Sequence, residues 1–152
     1  MLQRTLGQTR TPISAIGYGA MSFSDFYGPT DDEKSFAILD RCMDLGITHL
    51  DTSNVYGLGL SEQRIGAYLE QRGQQARNFF TIATKAGIAS KPDGSRYYNN
   101  SPEHLRKELD GSLQRLGVEQ VELLYVHRRD ASVPIGEVAQ SLAELVKSGK
   151  TR

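Results

Sequence analysis

Cysteine is almost missing from this chain. Cys42 is the only one in 152 residues, so no internal disulfide can form and a stapled, oxidised mini-domain is excluded. Charge of one sign is missing as well. The 18 basic side chains are matched by 18 acidic ones, with no block of like charge, so nothing steers the chain toward nucleic acid or anionic lipid. No stretch approaches the roughly 20 apolar residues that cross a bilayer, and the opening Met1 to Gly7 lacks the apolar run of a signal peptide. The three histidines have no metal-ligand spacing, so no metal is expected. The expectation is a cytoplasmic protein without nucleic-acid or membrane partners. Cys42 sits near Phe36, Leu39, Met43 and Leu45 on the apolar side of a helix and reads as a small core hydrophobe.

What is present is an alternation of elements. A chain of this length is normally one domain. Residues 2–14 read as a hairpin covering the bottom of the sheet, and residues 15–152 as strand then helix, four times over. Strands are expected at 15–21, 47–51, 79–84 and 121–126. The first helix is expected from about Asp31 to Leu45, opened by a Thr30–Glu33 capping box and closed by Gly46. The second spans about Glu62 to Gln71 with Ser61 as cap. The third begins at Ser101-Pro102-Glu103, carries Leu105, Leu109, Leu113 and Leu116 at helical spacing, and stops at Gly117. The fourth starts at Pro134, runs through Val138, Leu142 and Leu145, and ends at Ser148-Gly149. This pattern predicts an α/β fold with a parallel sheet and helices packed on it. Four such units make half of a (β/α)8 barrel.

Loop lengths single out one end of that sheet. Helix-to-strand turns are short, whereas the strand-to-helix loops are long. The loop from Ala86 to Asn100 far exceeds the roughly 2–6 residues common in such units, and long loops are where function concentrates. The carboxyl ends of the strands are therefore the expected working face. Asp51, Tyr56, Lys85 and His127 all fall there. A phenol beside an ammonium is an acid with a tunable pKa, because the cation favours the phenolate. Asp51 can hold Lys85 charged and oriented, and His127 can donate to a carbonyl oxygen as negative charge builds on it.

The chain resembles the amino-terminal half of an aldo-keto reductase. The resemblance rests on Gly17-Tyr18-Gly19-Ala20-Met21, Leu50 to Gly57, Ser61-Glu62 with Ile65-Gly66, Thr84-Lys85, Leu116-Gly117, Leu124 to His127 and Gly149 to Arg152, in family order. It implies reduction of a small aldehyde or ketone with NADPH, with Tyr56 as proton donor, Lys85 and Asp51 as its tuning pair, and His127 orienting the substrate. It further implies that Gly19, Ala20, Met21 and Asp51 approach the cofactor. Arg128-Arg129-Asp130 stands where many members have Trp-Pro, which is more similar to the microbial and plant branch that includes pyridoxal-reductase-like enzymes.

Two alternatives stand beside this reading. A dinucleotide-binding Rossmann unit is disfavoured, because Gly17-Tyr18-Gly19 lacks the third glycine and no helix opens directly on it. A half-barrel kept as an assembly or regulatory subunit, with an idle tetrad, is the other. The family's pyrophosphate contacts come mainly from a second half absent from these residues. Residues 147–152 read as the turn into a fifth strand. Either a longer chain supplies the rest, or copies self-associate through open strand edges and an apolar inner face.

Overall fold

A computed structural model describes residues 1–91 and 93–152. Pro92, inside the expected 86–100 loop, and the Thr9 side chain lie outside the described residues. The strands are β1 (Gln3–Leu6), β2 (Thr11–Ser14), β3 (Gly17–Gly19), β4 (His49–Asp51), β5 (Thr81–Ala86), β6 (Ile88–Ser90), β7 (Arg96–Tyr98) and β8 (Leu123–Val126). The α-helices are α1 (Asp32–Leu45), α2 (Leu60–Arg72), α3 (Gln74–Phe79), α4 (Pro102–Leu116) and α5 (Ile135–Lys147).

β3, β4, β5 and β8 form one parallel sheet in that order. The order never reverses. Right-handed crossovers that always step the same way put every helix on the same face, which is barrel geometry. A doubly wound sheet would reverse at a switch point, so the topology disfavours the Rossmann alternative. Leu50 and Ile82 meet Leu39, Ile65, Leu69, Leu105, Leu109 and Leu116 in the core on the helix side. The β1–β2 hairpin is antiparallel. It is tied to the residue before β4, where Ser14 and Thr48 exchange two hydrogen bonds at 2.9 Å.

Helix ends follow local chemistry closely. Gly46 and Gly117 adopt left-handed conformations, at φ 72° and 64°, and close α1 and α4. Ser101 caps α4 by accepting from the His104 N–H, with Pro102 in the first turn. The α2–α4 contact is very close at Gly66, where a Cβ would sit 2.2 Å from the Arg115 carbonyl oxygen. Cys42 is buried, and burial pushes its thiol pKa up, as suits a packed side chain.

Several expectations are corrected. The first strand is only Gly17–Gly19, and Ala20–Ser24 forms a 3-10 turn. Asp31, not Thr30, caps α1, accepting from the Lys34 N–H. Thr30 is occupied elsewhere: its N–H donates to Asp25 and its carbonyl accepts from Arg64. Helix α2 begins at Leu60, so Ser61 lies inside it and its hydroxyl turns to the core. The Phe79-Phe80 pair read as strand onset, yet Phe79 ends α3 and the strand starts at Thr81. A short apolar run does not by itself distinguish helix from strand. The expected 86–100 loop contains the antiparallel pair β6–β7. Strand β8 starts at Leu123, while Val121 bridges in parallel to Thr151, so the chain after α5 already begins to pair. The inner face is not the apolar surface expected. The register aligns Gly17, Gly19, His49, Asp51, Thr81, Ala83 and Lys85 there beside Leu123 and Tyr125. Among the described residues no helix is long and apolar enough to cross a membrane, and no group of His, Cys, Asp or Glu side chains could hold a metal.

Candidate active site

Asp51 ends β4, Lys85 is the penultimate residue of β5, and His127 follows β8 directly. Tyr56 lies in the turn that leads into α2. Backbone bonds from Tyr56 N to the Ser53 carbonyl, Leu60 N to the Gly57 carbonyl and Ser61 N to the Tyr56 carbonyl set that turn. Gly57 is needed there: φ is 61°, and a Cβ would lie 2.8 Å from Ser24 Cβ. All four side chains therefore reach the same end of the sheet.

They meet around Lys85. Its ammonium donates to the Asp51 carboxylate, to the Thr52 carbonyl at 2.8 Å and to the Tyr56 phenol oxygen at 3.1 Å. The Tyr56 and His127 rings stand edge to face, with centroids 5.9 Å apart. The fully buried Ser53 places its hydroxyl 3.1 Å from His127 Nδ1, which leaves Nε2 for the cavity. Tyr56 and His127 line a cavity of about 620 Å³ together with Met21, Phe26 and Tyr98.

The His127 pKa is lowered, first by burial, then by the Lys85 and Arg128 cations, with Asp51 opposing. Its imidazole is thus kept neutral down to a lower pH than an ordinary histidine. In an NMR titration the His127 midpoint is expected below the usual value of about 6.5. Lys85→Met should raise it, because a repelling cation is lost and Asp51 is left unopposed. A midpoint that Lys85→Met leaves in place would contradict this electrostatic account.

A second layer holds these groups, and sequence reading did not find it. Glu62 is fully buried; one oxygen accepts from Thr84 Oγ1 at 2.6 Å and the other from Arg115 Nε at 2.7 Å. Thr84 precedes Lys85, so the contact fixes the strand where the lysine departs. Ser61 bonds Thr52, whose carbonyl holds the Lys85 ammonium, and also donates to the Ala20 carbonyl. Alternation from Lys85 gives one available signal, because it turns Thr84 toward the helices.

The residues expected near a cofactor divide. Gly19 is paired with Asp51, and a Cβ built on it meets nothing within 4 Å, so the space beside it is open. Met21 lines the cavity. Ala20 is wholly buried in the core and its carbonyl is taken by Ser61, so its side chain does not reach the site.

Residues 15–152 match the model of the Aldo/keto reductase family. An aldo-keto reductase of Schizosaccharomyces pombe, whose name carries NADP(+), is 39% identical over 150 residues, covering 98% of this chain and 43% of that protein. The holo form of an aldo-keto reductase from Bacillus halodurans superposes with TM-score 0.85 at 31% identity, over 100% of this chain and 48% of the other. Glycerol dehydrogenase from Gluconobacter oxydans gives TM-score 0.86 at 28% identity, over 99% and 46%. The chain therefore spans less than half the length of each of these proteins.

Proposed function

The chain belongs to the aldo/keto reductase family, and from that premise we propose that a complete barrel carrying it reduces aldehydes or ketones with NADPH, Tyr56 giving the proton. Its four-stranded parallel sheet is part of the family's (β/α)8 barrel. The observation that carries the proposal is the Lys85 ammonium, which touches both Asp51 and the Tyr56 oxygen beside His127.

The Tyr56 oxygen accepts from Lys85, so its own O–H is left to point at a carbonyl oxygen in the cavity. Charge building on that oxygen is met by the phenol and by an N–H on His127 Nε2, where preorganised donors act with little reorganisation. The mechanism requires Nδ1 to accept in its 3.1 Å contact with Ser53 Oγ, the tautomer that keeps a proton on Nε2. As the phenol proton leaves, the phenolate is stabilised by the lysine that Asp51 holds in place. Gly19, Met21 and Asp51 would border the nicotinamide, which when bound supplies the hydride. Among the described residues, the short Gly17-Tyr18-Gly19 strand passes into a 3-10 turn and no α-helix opens on it to seat a pyrophosphate. Cofactor binding is therefore assigned in part to the remainder of the barrel.

The test is isotope transfer from NADPH deuterated at the reactive nicotinamide carbon. A complete barrel containing this half should place deuterium on the carbinol carbon of the alcohol, and the 152-residue chain alone should give none. Unlabelled alcohol from the complete barrel, or no alcohol, would refute the reading.

A further inference from the structure

We propose that the carbonyl compounds taken by this site carry an oxyanion, a carboxylate or a phosphate, which the guanidinium groups of Arg96 and Arg128 receive while the carbonyl faces Tyr56 and His127. The inference rests on the reductase reading of the cavity and adds the substrate's chemical class to it.

Both arginines line the cavity of Tyr56 and His127, and among the described residues no acid lines it. Neither guanidinium makes a hydrogen bond or ion pair among the described residues. Lys85, by contrast, is already matched by Asp51. The cavity thus presents two unmatched positive charges beside a neutral imidazole. The acids nearest in sequence are engaged elsewhere. The Asp130 carboxylate accepts from Ser132 N–H and Oγ, and the Asp93 carboxylate accepts from Ser95 N–H and Oγ.

Both arginines are carried by fixed backbone. Asn100 is fully buried and clamps the loop after β8 directly past Arg128: its Nδ2 donates to the Arg128 carbonyl at 3.0 Å, and its Oδ1 accepts from the Asp130 N–H at 2.6 Å. Gly87, at φ 109°, permits this, since a Cβ there would lie 2.7 Å from Asn100 Nδ2. Arg96 belongs to β7, where alternation sends Arg96 and Tyr98 to the same face. Register pairs Tyr98 with Ile88, which lines the same cavity. The long 86–100 segment therefore delivers a cation, an aromatic ring and an aliphatic wall to one site. Phe26 and Tyr98 supply an apolar surface for the body of a ligand, and planar guanidinium forks match oxyanion geometry.

The experiment measures binding of unreactive alcohol probes to the 152-residue chain by NMR titration. The pairs are p-carboxybenzyl alcohol against benzyl alcohol, and glycerol phosphate against glycerol. The charged member of at least one pair should bind about tenfold tighter than its neutral partner, with the preference shrinking as salt is raised. Arg96→Gln combined with Arg128→Gln should abolish the preference, and Arg-to-Lys replacements should retain part of it; far-UV circular dichroism checks the fold of each variant. A preference in one pair alone supports the proposal and says which oxyanion is taken. Equal affinities in both pairs, no binding of any probe, or a preference that survives the double Gln variant would overturn it. No probe is reduced, so the result does not depend on Tyr56 acting as an acid. Anion preference found alongside failed deuterium transfer would discard the reductase reading and keep the anion site.

Discussion

Tyr56→Phe is expected to cut carbonyl reduction by a complete barrel by about 10²- to 10⁴-fold, the usual worth of a positioned proton donor. Binding should change little, because the ring stays and only one oxygen is lost. Lys85 keeps two of its three partners, Asp51 and the Thr52 carbonyl, so the ammonium has no reason to move. The edge-to-face contact with His127 also survives. The loss should therefore appear in kcat with KM nearly constant, the pattern of an interaction made in the transition state. Steady-state kinetics of the purified variant would settle the matter. Turnover within a few-fold of the unsubstituted protein would remove Tyr56 from its role.

The placement of the four side chains was legible because barrel logic is local. Strand ends are marked by the loss of apolar residues, parallel strands point the same way, and so residues at their carboxyl ends converge. Helix stops at Gly46 and Gly117 and the cap at Ser101 were legible for the same reason, since each is set by one or two residues. What escaped depended on partners distant in sequence. Thr30 lost the α1 cap because Asp25 and Arg64 claim its backbone groups. The β6–β7 pair is three residues a side, too short for alternation to register, although Asp93-Gly94 is a turn signal. Phe79 reads as strand by composition but closes a helix of six residues, with Ala76 buried beneath it. Ser61 and Glu62 looked like helix-opening polar residues. Their burial is a tertiary fact, created where α2 crosses α4 and Glu62 reaches Thr84 of β5.

Glu62 yields the largest effect expected on stability. Its carboxylate is inaccessible, and among the described residues the charge is compensated by Arg115 and the Thr84 hydroxyl alone. Glu62→Ala would strand a guanidinium whose side chain is only 25% exposed and leave a buried hydroxyl without its acceptor. Removing one partner of such a pair costs about 3–5 kcal/mol. The lower end is expected here, because Arg115 keeps a route to water. Against a typical total of about 5–15 kcal/mol, the urea midpoint should fall clearly while the slope stays constant. Glu62→Gln keeps an acceptor for Thr84 but loses the charge, and should fall in between. Glu62→Leu with Arg115→Leu removes both charges and should cost less than Glu62→Leu alone, since no unpaired cation remains. If the single and double Leu variants unfold at the same urea concentration, the pair is not what holds α2 to α4. Thr84 is the residue before Lys85, so the same substitution should loosen the lysine's hold on Tyr56 and lower turnover even in protein that remains folded.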